Sequence, residues 1–275
     1  MSRIMTPVEK ERFRGYFQNL NVDQALVSGE STKVYNCISW TVGVTTQWLW
    51  PGSNLTDFDT FYMRYGLTRA ANGQVAAWGH ASNNMTHGCI SGIDHGPRWE
   101  SKCGSDLKIQ HDLNELTGNS YGRVIAFYTK THKLESKSLK LKDLLMKDKK
   151  QISKEEIALI NEEIIKLPKK VVLDFETNFT YWKKTWFKGL LAIDSNPTSR
   201  VGSLEFFRLV DMGEKIVPLV IQKLMDEENF FALQLYERLQ KQPNLLIEHN
   251  VNDDIILEGE QGRAFRTVKT YFKNK

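Results

Sequence analysis

The sequence predicts an α+β fold: a sheet-plus-helix domain over residues 1–130, a lysine-rich helical connector over 131–174, and a helical module over 175–275. Three observations point there. Before residue 130, the short segments NCISWTVG, QVAAWGHAS and YGRVIAFYTK are rich in β-branched and aromatic residues and bounded by Gly or Asn, as strands are. Between residues 131 and 170 the composition changes to eleven lysines against seven acids, with no Arg, Cys, Trp or Gly. Beyond residue 200 the apolar residues recur at helical spacing.

The elements follow in order. Phe13, Tyr16, Phe17 and Leu20 predict an amphipathic first helix with Thr6 as its N-cap. The strand over 75–80 is expected to pair with the strand over 123–128, and DLNELTGNSYG reads as a short helix closed by a glycine turn. In the connector, Ser153 and Glu156 have capping-box spacing, and Ile157, Ile160, Ile164 and Leu167 form one face of a helix ending at Pro168. That helix is expected to be a solvated connector. Leu204, Phe207, Leu209 and Val210 predict the stripe of the next helix, which Gly213 can end. Pro218 suits the first turn of a further helix, and a third carries Phe230 to Leu239 and stops before Pro243. The tail around GEQGRAF reads as a loop with a short strand or helix.

Composition narrows the function classes. Hydrophobic residues at 41% and charged residues at 25% suit a globular core. No apolar run approaches the roughly 18 to 20 residues of a membrane span, and the charged start lacks the apolar region of a signal peptide. Three cysteines without a CxxC give no disulfide framework, so a reducing cytoplasm is the expected location. A net charge of +4 does not point to nucleic acid. No phosphate loop, GxSxG or HExxH occurs, and no cofactor is expected.

The chemistry-bearing candidates lie before residue 130. Cys37 is either a small buried hydrophobe or a nucleophile; its polar flank of Asn36 and Ser39, and His80, His87, His95 and His111 downstream, support the second. A thiolate needs an imidazole to lower its pKa and a third group to orient that imidazole. His87, Cys89, Asp94 and His95 are zinc-ligand types, but their spacing fits no established finger, and the glycines among them suggest a mobile loop. The tryptophans read mainly as packing residues, with Trp99 expected at a site rim.

NCISW, WLWPG, GHAS and RWESKCGSDLKIQHDLNELTGNSYGRVIAFY together resemble an uncharacterised bacterial domain family over about residues 30–130. At fold level the order Cys, His, polar residue is similar to the papain-like and NlpC/P60-like thiol hydrolases. The resemblance implies Cys37 as nucleophile, His80 as base and His111 as the third group, with Asn36 or backbone amides stabilising an oxyanion. Where the family carries an acidic pair before the last histidine, this chain has Lys108 and Gln110. The helical half resembles a HEAT-like hairpin with one extra helix. The expected function is cysteine-dependent acyl transfer on a protein or peptide-like substrate, as in an amidase, peptidase or deamidase. Its rival is a non-catalytic protein-binding module of immunity, antitoxin or anti-defence type, which Lys108 and Gln110 favour.

Overall fold

The computed structural model describes residues 2–92, 98–130, 152–247 and 257–274. The first part of the connector, residues 131–151, lies outside the described residues.

Helix α1 (Pro7–Tyr16) starts where expected. The Glu9 amide donates to Thr6 Oγ1 at 3.3 Å and the Thr6 amide to the Glu9 carboxylate at 2.7 Å, so two otherwise orphaned donors are satisfied. Eight strands follow: β1 (Arg3–Ile4), β2 (Leu26–Gly29), β3 (Leu67–Ala70), β4 (Val75–Ala81), β5 (Asn84–Ser91), β6 (Trp99–Lys102), β7 (Lys108–His111) and β8 (Arg123–Lys130). They form one antiparallel sheet in the order β1-β2-β7-β6-β5-β4-β8-β3. The expected pairing of β4 with β8 is present, with Val75 opposite Tyr128 and Ala77 opposite Ala126.

Both faces of the sheet are covered, which explains why β4 reads as an unbroken apolar run. Val75 and Ala77 face helices α2 (Cys37–Thr41) and α3 (Leu55–Arg64), in a cluster with Ile38, Phe58, Phe61 and Tyr62. Ala76 and Trp78 face α1, in a cluster with Phe13, Phe17 and Tyr121. Two expectations fail in this half. NCISWT is a helix, because Asn36 caps it: its Oδ1 accepts from the Ser39 amide at 3.0 Å. The glycine-rich segment expected as a mobile loop contains β5, and Gly88 lies mid-strand because a Cβ there would come within 2.9 Å of Tyr62 Oη.

The remaining helices are α4 (Lys154–Ile165), α5 (Lys169–Thr185), α6 (Leu204–Asp211), α7 (Val217–Leu224), α8 (Leu233–Leu239) and α9 (Gly259–Lys273). Their core joins Phe179, Trp182, Trp186, Phe206, Leu209, Val220, Phe231 and Val268. Helix α4 is not a solvated connector: Ile160 is fully buried in this core, and Lys269 pairs with Glu156 at 2.7 Å. On α6 the stripe is shifted from the expected one. Phe206 and Leu209 turn inward, while Leu204 and Phe207 stay exposed. The tail is the long helix α9 rather than a short terminal element.

The two halves meet in a shared core. Trp48 belongs to the helical core, stacked edge-on against Phe231 at 5.4 Å. Its Nε1 donates to the Ser195 carbonyl at 2.8 Å, and its own carbonyl accepts from the Glu260 amide at 2.8 Å. Residues 189–202, between α5 and α6, touch the sheet half at several more points. The Ser105 amide donates to the Ala192 carbonyl at 2.7 Å, and Tyr121 Oη to the Ile193 carbonyl at 3.0 Å. Gly104 has φ +52° there, and a Cβ would lie 2.4 Å from the Ala192 oxygen.

Trp48→Ala should therefore cost about 3–5 kcal/mol, the usual loss for a buried Trp. Denaturant unfolding followed by circular dichroism and by fluorescence should show one shared transition moved to lower denaturant. Two transitions, only one of them displaced, would mean that the halves fold independently.

Candidate functional site

The residues singled out by the sequence do not gather at one place: Cys37 packs on the α2 side of the sheet, whereas His111 joins Ser101 and His87 in a buried polar cluster beside Tyr121 on the α1 side. Cys37 is the first residue of α2 and has no exposed surface. Its Sγ lies 3.2 Å from Ser195 Oγ, a residue of the helical half that is equally buried. Burial pushes the thiol up to about 11, against hydrogen bonds from Ser195 and the Gly88 backbone that pull the other way. The sulfur is a neutral thiol at physiological pH. Cys89 is pushed up to about 12, and Cys103 further still, also by burial.

Asn36 cannot serve an oxyanion. It is fully buried, its Nδ2 donates to the Leu49 carbonyl at 2.7 Å, and its Oδ1 accepts from the amide and hydroxyl of Ser39. Trp99 is half-buried against the α1-side core, its ring 6.0 Å from that of Phe127. His80 is exposed and makes no hydrogen bond among the described residues. His111 is fully buried, with Nδ1 2.8 Å from the Asp112 carbonyl and Nε2 2.8 Å from Ser101 Oγ. Both of its ring nitrogens are taken, so it cannot orient His80. The expected Cys37–His80–His111 triad is not assembled.

His87, expected on a loop outside the site, is instead the second histidine of the cluster. It is fully buried on β5, its ring stacked 3.9 Å from that of Tyr121, and its Nε2 lies 2.9 Å from Ser101 Oγ. The tautomers follow from donor counting. Burial holds both histidines neutral, His111 down at about 4 and His87 well below its ordinary value. The Asp112 carbonyl can only accept, so His111 carries its proton on Nδ1 and Nε2 is an acceptor. Ser101 therefore donates to His111 and accepts from His87 Nε2–H. His87 Nδ1 is left as a bare lone pair, buried and without a partner among the described residues. The sequence signal for it was present in THG, between two strands, but the flanking glycines concealed the strand.

Lys102, on β6, is also buried, with its ammonium donating to the carbonyls of Gly104 and Asp106 at 2.6 Å each and of Thr32 at 3.3 Å. Burial lowers its pKa to about 8. The backbone holds this charge in place of a carboxylate, fixing the β6–β7 turn that meets residues 189–202. Of the zinc-ligand types, Asp94 and His95 lie outside the described residues. Among the described residues no group of three His, Cys, Asp or Glu is placed to hold a metal ion.

The paired histidines make stability depend on acid. Both are neutral when folded, whereas the unfolded chain protonates them below about pH 6.5, so stability falls as the pH drops. For His111 alone, the fall from 6.5 to about 4 corresponds to about 3 kcal/mol. Equilibrium unfolding from pH 7 to pH 4 should show this loss in the wild type and a flatter dependence in His111→Gln. Equal slopes would contradict the assignment of a buried neutral imidazole.

Residues 26–129, the span holding Cys37, His87, Ser101 and His111, match the family model of a domain of unknown function, DUF7689. No curated protein and no solved structure matches the chain significantly.

Proposed function

We propose that the protein is a non-catalytic binding protein that engages a protein partner, with Cys37 serving as a core residue. One observation carries this reading: the thiol is sealed beneath Ser195 of the helical half, with no exposed surface. A nucleophilic cysteine must be a thiolate within reach of substrate. Burial pushes the Cys37 thiol well above its ordinary pKa, so the protonated form is the one favoured at neutral pH. The helical half supplies the binding surface in this reading, as a HEAT-like interaction unit. Among the described residues, eight of the twelve large exposed hydrophobics lie there, including Leu204 and Phe207 three apart on α6. Leu204 and Phe207, neighbours one turn apart on α6, are the exposed apolar pair this reading assigns to the contact. No described helix is long and apolar enough to cross a membrane, so these residues do not form a spanning segment.

A second reading is favoured by the bare Nδ1 of His87. It rests on the analogy of a cysteine opening a helix and a histidine on a strand to papain-like and NlpC-like thiol hydrolases, and it requires His87, stacked on Tyr121 on the α1 side, to reach a thiol packed on the α2 side. In that reading residues 189–202 must move before acyl transfer can begin.

Alkylation separates the two. With iodoacetamide at pH 8, none of the three buried cysteines should react in the folded protein, and all three should react in guanidinium. Ser195→Gly should leave Cys37 slow. Cys37 labelling in the native protein faster than a free thiol, abolished by His87→Phe, would overturn the binding reading in favour of the latent hydrolase.

A further inference from the structure

Beside the sealed cluster, the two halves enclose an open cavity of about 310 Å³. Its walls come from the end of β4, the start of β5, the loop before β8, and residues 190–199 of the helical half. Clefts between structural units, of roughly 300 Å³ or more, are common small-ligand sites. We infer that this cavity binds an uncharged, hydroxyl-rich small molecule of the saccharide class. The inference concerns a different surface from the thiol and holds whether or not the thiol is inert.

The chemistry of the lining selects the class. No lysine or arginine lines the cavity, so nothing there compensates a phosphate or carboxylate. Asp194 is the one acid, and it is already engaged: Oδ1 accepts from the Asn196 amide at 2.7 Å and faces Arg200 Nη1 at 3.7 Å. One of its oxygens is thus committed to the protein. The side chains of His80, Asn84, Asn119 and Ser199 line the cavity and make no hydrogen bond to other described residues. Each of these side chains can both donate and accept. A ligand matching four such groups needs paired donors and acceptors at several points, which hydroxyls provide and a single charge does not. Leu190 is exposed there and offers one apolar contact to the C–H face of a sugar ring.

The cavity is also shaped in advance. Thr86 Oγ1 donates to the Tyr121 carbonyl at 2.7 Å, and Ser120 Oγ to the Tyr16 carbonyl at 2.6 Å, fixing the loop that carries Asn119. Asn196 Oδ1 accepts from the amide and hydroxyl of Thr198, fixing the opposite wall. Preformed walls keep the ordering cost of binding low.

The test is titration calorimetry on the full chain with glucose, N-acetylglucosamine and maltose, against arginine amide and inorganic phosphate. At least one saccharide should bind at concentrations of tens of millimolar or below, and Asn84→Ala and Asn119→Ala should each weaken it about tenfold, the effect of one or two lost hydrogen bonds. Both variants should keep the wild-type melting temperature, since neither side chain has a protein partner. The inference is overturned if no saccharide binds, if phosphate or arginine amide binds in preference, or if both variants bind the saccharide as tightly as the wild type.

Discussion

Arg200 is the constraint on which the junction between the halves depends. A guanidinium keeps its proton and has five N–H donors, so once buried it must find acceptors. Arg200 is 1% exposed and takes the carbonyls of Asn196, Leu191 and Asp194 at 2.6, 2.9 and 2.6 Å. Its plane lies over Phe231, 4.5 Å from the ring centre, so the helical core supports it from below. Burial lowers its pKa to about 10, which still leaves it charged at neutral pH. Three carbonyls of one irregular segment are thereby drawn to a single point. That curl presents Ala192, Ile193 and Ser195 to the sheet half.

The sealing of Cys37 is a consequence of that segment. Ser195 reaches Cys37 only because the curl delivers it there, and the sulfur is then sealed from water. A sealed thiol stays protonated, and histidines without water or a carboxylate stay neutral. Ser101 connects the two imidazoles as donor to one and acceptor from the other, so the cluster is satisfied without any charge. His87 Nδ1 is the exception, and it is the feature that keeps thiol chemistry in view as a second reading. Lys102 follows the same logic with opposite sign, its ammonium held by carbonyls of the turn it stabilises.

The sequence disclosed what local physics determines. The capping boxes at Thr6 and Ser153, the apolar runs of β4 and β8, and the Pro218 helix start are all set by residues close in sequence. What it did not disclose depends on contacts far along the chain. NCISWT has strand-like composition, yet the Asn36 cap and the packing of Ile38 against β-strand residues make it helical. His87 lies among glycines that signal a loop, but Gly88 is there because α2 and Tyr62 approach the strand closely. Ser195 stands in IDSNP, an ordinary loop sequence, and its partner Cys37 is 158 residues away. The resemblance pointed to His80 as the partner of Cys37, and the structure leaves His80 exposed while His87 is buried. GHAS and THG are both a histidine on a strand, and only the fold distinguishes the exposed His80 from the buried His87.

The central claim is that residues 189–202 are a permanent part of both halves rather than a removable cover. Native-state hydrogen exchange tests it directly through two junction amides, Ser105 N–H to the Ala192 carbonyl and Glu260 N–H to the Trp48 carbonyl. If the segment is permanent, both exchange only through global unfolding, with the same opening free energy as the amides of β4 and α5. Exchange of these two through a much cheaper opening, while β4 and α5 remain protected, would contradict the claim and make the segment a cover that opens over Cys37.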